Sequence, residues 1–197
     1  MTKKNNDFEA EKLRLEYLFG DGVDFKNRVI RVTGYIGNNG LSEEEDLCSF
    51  DKIDSALTEM EKASNEPVTV KINSGGGSVY EGLAIVGRLK ASPCEIITEG
   101  YGCVMSAATL VLACGNVRRI SKYCMSMFHQ SSYGVVGSHE EIKEQVEQAE
   151  KEEILWSKWI AELSSKSKGF WYKIVKKRNV YLTSEQMLKY GVVDEII

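Results

Sequence analysis

A serine, a histidine and a run of glycines carry the chemistry this sequence can offer. Ser106 lies in Gly102-Cys-Val-Met-Ser106-Ala-Ala, after a strand and a glycine turn and at the opening of an apolar helix. The helix dipole there favours negative charge, and the amide of Ala107 is positioned to donate to an oxyanion formed beside Ser106. An ordinary N-cap serine has the same appearance in sequence. His129 ends the short apolar strand of Ser-Met-Phe-His-Gln-Ser-Ser. From that position a base reaches a neighbouring strand-to-helix turn, although a lone histidine at a strand end also serves structural roles. The third feature is Asn73-Ser-Gly-Gly-Gly77, between a buried strand and a helix. Successive glycines let a ligand approach the backbone and let N–H groups point into a cleft. They also make a tight turn with no ligand. The G-x-x-x-x-G-K-[ST] phosphate loop is absent. The chain has only one other histidine, His139, which reads as a solvated helix start.

These residues need elements to hold them. Phe8 to Phe19 reads as a short helix before the turn Gly20-Asp21-Gly22, and β-branched Arg28 to Ile36 as a strand. The loop GNNGLSEEED leads to a helix whose apolar Leu47, Phe50, Ile53, Leu57 and Met60 recur at steps of three and four. Val68 to Ile72 is a second strand, Val79 to Leu89 a helix, and Cys94 to Thr98 a third strand. EGYGCVM reads as a turn, SAATLVLACG as a buried helix ending at Gly115, and RRISKYCMSMF as two short strands. A long charged helix is expected over about 140–163, and its nearly heptad apolar stripe faces either its own domain or, with Trp156 and Trp159 exposed, another subunit. A short helix capped near Thr183 or Ser184, a stop at Gly191 and a terminal strand close the chain. Strand and helix in alternation are the signature of parallel α/β units.

The 197 residues suffice for one domain, and 43% apolar with 27% charged residues is a globular composition. A net charge of −4 lacks the basic stripe that nucleic acid demands. No apolar run approaches the ~20 residues that span a bilayer, and the N-terminus has no apolar core for a signal peptide. Cys48, Cys94, Cys103, Cys114 and Cys124 are odd in number and unclustered, which points to reduced thiols in a cytoplasmic protein and to no metal site.

Taken together, INSGGGSVYEGLAIVGRL, GCVMSAATLVLACG, MFHQSS and LTSEQMLKYGVVDEI resemble the ClpP family, the proteolytic subunits of the Clp protease. The likeness runs from about Arg28 to Ile197, with residues 1–27 as a separate N-terminal segment that gates or contacts a partner. It implies a ClpP/crotonase-like α/β spiral of β-β-α units with a projecting handle helix, about 140–163. It implies a serine endopeptidase without cofactor or metal, with Ser106 as nucleophile, His129 as general base, and the amides of Gly77 and Ala107 as the oxyanion hole. The implied partners are further copies of the chain in stacked heptameric rings, an AAA+ unfoldase and polypeptide substrates, with no nucleic acid or membrane. Arg178 is implied at the ring–ring contact.

Several positions depart from the family pattern. Gly75 and Ser131 stand where the family has proline, Ala107 where it usually has methionine, and the stretch before His129 is trimmed. The family's third catalytic residue lies three before the Leu-(Ser/Thr) of the last helix. Here that position is Asn179, and no aspartate occurs between Asp54 and Asp194. The implied triad is therefore Ser106–His129–Asn179, with reduced activity because an amide holds the imidazole without charge. Asp194 matches a structural aspartate. An inactive scaffold subunit is the competing reading that Asn179 favours. A crotonase-fold acyl-CoA enzyme would need a carboxylate acid/base instead of a Ser–His pair. A Ser–Lys peptidase would not need His129.

Overall fold

The computed structural model describes residues 11–37, 47–132, 134–176 and 179–197. The start of the expected Phe8–Phe19 helix, most of the GNNGLSEEED loop and Arg178 lie outside them. The described residues form a mixed α/β fold around one sheet. The chain is helical over 11–16, continues through a π-helical turn at Tyr17–Asp21, and enters β1 (Val23–Asp24). Asp24 is buried and receives the Arg14 guanidinium on both oxygens, Nε at 3.2 Å and Nη2 at 2.9 Å. That pairing holds its carboxyl down at about 2.

Strand β2 (Val29–Ile36) runs parallel to β3 (Leu47–Cys48) on one side and to β4 (Val68–Gly77) on the other. Helix α1 (Phe50–Ala63) crosses between β3 and β4 and buries Ile53, Ala56, Leu57 and Met60. Leu47 is therefore a strand residue and not the first of the helical stripe. Ser49 caps the helix by accepting from the Lys52 amide, so helical geometry starts only at Phe50. The far end of α1 is closed by Arg28, which donates to the carbonyls of Met60 at 2.8 Å, Ser64 at 3.1 Å and Glu66 at 2.8 Å.

Helix α2 (Val79–Lys90) returns the chain to β5 (Ile96–Met105) beside β4. Both strands are longer than their β-branched cores suggest. The glycine-bearing EGYGCVM is strand rather than turn, because β5 lies between paired neighbours that satisfy its backbone. β5 also forks. Its first half pairs with β6 (Val117–Ile120) and its last three residues with β7 (Met125–Phe128). Between them stands α3 (Ala107–Ala113), buried throughout.

The handle, α4 (His139–Glu162), opens on a capping box of Ser138 and Glu141. At 24 residues it is about 36 Å long. Residues 139–148 are exposed on all sides, whereas Ser157 and Ile160 are buried against the body. Trp156 and Trp159 are not exposed: both are partly buried against the chain's own core. Trp156 sits 5.9 Å from the Phe128 ring and 6.3 Å from Trp171. Trp171 comes from α5 (Lys168–Val175), a helix whose short apolar sequence did not announce it. These rings give the tryptophans an intramolecular partner, which spacing along one helix does not reveal. β8 (Val180–Leu182) then pairs antiparallel with β7, α6 (Ser184–Lys189) carries a Thr183–Gln186 capping box, and β9 (Glu195–Ile196) joins β6.

Candidate active site

Ser106 occupies the junction of β5 and α3 with φ 52° and ψ −127°. For a residue with a Cβ this is a strained conformation, found where the surroundings over-determine it. The surroundings here are specific. The Ser106 amide donates to the Met127 carbonyl of β7 at 2.8 Å. Its own carbonyl accepts from the Thr109 amide at 3.0 Å and hydroxyl at 2.7 Å. The side chain makes no capping bond to α3, so the N-cap reading fails on geometry. A sharp strand-to-helix turn of this kind lifts a serine hydroxyl clear of the backbone.

The hydroxyl meets His129, whose Nε2 lies 2.8 Å from Ser106 Oγ. His129 follows β7 directly, and the Ser106–Met127 backbone bond fixes the distance between the two segments. Burial holds the imidazole below its ordinary value of 6.5. Near neutral pH the ring is therefore uncharged and its Nε2 lone pair is available to the hydroxyl proton.

The glycines complete the wall opposite. Gly76 has φ 94°, and a Cβ there would stand 2.6 Å from the Met105 carbonyl and 2.7 Å from Ser106 Cβ. At Gly77, φ 155°, a Cβ would collide with the Ile36 carbonyl at 2.2 Å. Only glycine permits this close approach. Gly75, by contrast, faces open space, so the position can lose the family's proline without leaving a clash or a gap. Ser74, which the motif reading passed over, supports the turn. Its buried hydroxyl donates to the Gly34 carbonyl at 2.6 Å and accepts from the Gly76 amide at 3.0 Å. Gly77, Ser106 and His129 share a cleft of about 410 Å³ with Tyr35, Tyr80, Met127 and Glu152. Ala107 follows Ser106 at the head of α3 and is buried.

Asn179 precedes β8 and is exposed, and no hydrogen bond joins it to His129 among the described residues. The β7–β8 register nevertheless pairs Phe128 with Val180, so the next positions along it are His129 and Asn179. Cross-strand partners lie on one face of a ladder. Asp194 is engaged elsewhere: both its oxygens accept from Arg118, whose guanidinium also reaches the Leu163 and Gly191 carbonyls. His139 is exposed at the first turn of α4. The five cysteines are free thiols, and burial pushes Cys48 and Cys124 up to about 11 and Cys114 to about 12, which makes poor nucleophiles of them. Among the described residues no helix is long and apolar enough to cross a membrane.

A mostly parallel α/β sheet that brings a strained serine onto a histidine, beside close-packed glycines, defines the class of protein. Residues 41–197 match the family described as Clp protease. The chain belongs to the Clp protease family. It is 36% identical to the ATP-dependent Clp protease proteolytic subunit 2 of Corynebacterium efficiens over 135 residues, 66% of each chain. It is 34% identical to proteolytic subunit 1 of Corynebacterium jeikeium over 135 residues, 66% of this chain and 70% of that one. A subunit from Chlamydomonas reinhardtii aligns over 183 residues at 28% identity, covering 90% of this chain and 34% of its own. The chain thus spans just under two thirds of the first of these relatives.

Proposed function

We propose that the chain is a serine endopeptidase subunit of a Clp-type ring protease. The 2.8 Å contact between Ser106 Oγ and His129 Nε2 carries the reading. In the Nδ1–H tautomer, Nε2 accepts the hydroxyl proton as Oγ attacks a peptide carbonyl. The amides of Gly77 and Ala107 receive the charge that develops on the carbonyl oxygen. His129 then returns the proton to the leaving amine, and water hydrolyses the acyl-enzyme by the same route. Asn179 Oδ1, from the position opposite His129 in the continued β7–β8 register, accepts from Nδ1–H when the two approach. It holds the tautomer but adds no charge, so turnover is slow. Substrates are unfolded polypeptides delivered by an AAA+ unfoldase, and the working unit is a pair of stacked heptameric rings in the cytoplasm. The projecting half of α4 supports the stacking, because it is exposed around its whole circumference in a single subunit.

Asn179 also favours a second reading, a scaffold subunit that fills ring positions without turnover. A fluorophosphonate probe separates the two. Covalent labelling at Ser106, absent in Ser106→Ala and stimulated by an unfoldase, is expected of the protease. No labelling in either condition would leave the scaffold.

A further inference from the structure

The turn that carries the Gly77 amide is a run of glycines, Gly75 to Gly77, the residues least able to keep a peptide plane in one orientation by themselves. The strand pairing around them is also broken. Between β2 and β4 the register passes from Thr33 opposite Asn73 to Tyr35 opposite Gly76, so Ser74 and Gly75 together face the single residue Gly34. Between β4 and β5 it passes from Ile72 opposite Gly100 to Ser74 opposite Val104. A bulge of this kind bends the strand and interrupts its ladder. Ladder support is therefore interrupted just ahead of the amide that the hydrolytic chemistry needs.

The Ser74 side chain spans the break. It is 1% exposed, its hydroxyl proton goes to the Gly34 carbonyl of β2, and its lone pair takes the Gly76 amide of β4. Beyond Gly77 the chain is tied again, because the Ser78 amide donates to the Ile36 carbonyl at 2.7 Å. The peptide between Gly76 and Gly77 is thus anchored on both sides to β2. Gly76 also approaches the second amide at issue: a Cβ on it would stand 3.0 Å from the Ala107 nitrogen. Ser74 itself is not among the described residues that line the cleft.

We propose that Ser74 is a positioning residue for the oxyanion hole, holding the Gly77 amide towards the developing charge. This inference rests on the hydrolase reading above. A glycine peptide released on one side can rotate and present its carbonyl where the N–H is needed. A donor stabilises the transition state fully only when it is aimed in advance, without reorganising as the reaction proceeds. Ser74 acts through Gly76, away from the substrate, so its contribution belongs to the transition state and not to substrate binding.

The test compares the full chain with Ser74→Ala and with the nearly isosteric Ser74→Cys, whose thiol hydrogen-bonds weakly. Each is assayed on a small peptide and against a peptide aldehyde, whose tetrahedral adduct with Ser106 places an oxygen in the oxyanion position. Loss of one oxyanion donor costs ~10²–10³ in kcat, so kcat in Ser74→Ala should fall about ten- to a hundredfold. KM should stay within about twofold, and the aldehyde should bind more weakly in proportion to the loss in kcat. Ser74→Cys should fall in the same direction, and Ser74→Thr, which keeps the hydroxyl, should recover most of the rate. A loss of folded protein alone would lower the number of sites that the aldehyde titrates and leave its affinity for the rest unchanged. Unchanged aldehyde affinity in Ser74→Ala and Ser74→Cys, whatever their rates, would therefore overturn the inference, while cleavage by the unaltered chain upholds the hydrolase reading. An unaltered chain that neither cleaves peptide nor takes a fluorophosphonate label at Ser106 would overturn both.

Discussion

At His129 the absence of a carboxylate has a measurable sign. Burial lowers its pKa. On the proposed mechanism the neutral ring is the active form. Activity should therefore persist below pH 6.5 and fall only as pH drops through the lowered value. Asn179→Asp would set a negative charge at the position opposite His129 and favour the imidazolium. Two results are expected: small-peptide turnover rising by about tenfold or more, and the acid limb of kcat/KM moving to higher pH. The scale for the first is the ~10⁴ that the reverse change costs a trypsin-type triad. A faster variant with an unmoved acid limb would separate orientation from charge. Ser106 and His129 were legible in sequence because each sits at a strand end beside a recognisable motif. Ser74 was not. It is a short polar residue beside a glycine run, and only three-dimensional packing distinguishes it from its neighbours.

At the scale of elements, periodicity located the helices that are amphipathic and the strands that are β-branched. It failed where tertiary pairing overrides local preference. The glycine-rich ends of β4 and β5 are poor strand formers in isolation, yet flanking strands hold them extended. β8 and α5 are too short to declare a period. The closure of α1 is also hidden in sequence, since Arg28 acts on carbonyls more than thirty positions away. Arg28→Ala should destabilise the fold by about 1–3 kcal/mol, because the part-buried carbonyls of Met60 and Ser64 lose a charged donor. Arg28→Lys should restore little, as one ammonium does not span carbonyls that a planar guanidinium bridges. The midpoint of urea unfolding measures both.

For the whole molecule, the exposed reach of α4 predicts association. It presents Ile142, Val146, Ile154 and Leu155 to solvent in a single subunit. Sedimentation at micromolar concentration should find a large ring assembly, and a charge introduced at Val146 (Val146→Glu) should shift it towards single rings or smaller species. A stable 22 kDa monomer of the unaltered chain would remove the ring from the proposal.

The fork in β5 has a consequence for how the molecule breathes. Ser106 hangs from a strand clamped along most of its length, whereas His129 hangs from β7, held to β5 by three register pairs and flanked by the three-residue β8. The two halves of the dyad thus belong to structure of unequal local stability, and the β7–β8 ribbon can open without dismantling the central sheet. Native-state hydrogen exchange should find amides of Met125–Phe128 and Val180–Leu182 exchanging ahead of those in Val68–Ile72 and Ile96–Gly100. Pressing a neighbouring subunit onto the ribbon should slow them. Assembly would then act on catalysis as a thermodynamic latch, raising the fraction of time in which base and nucleophile are together.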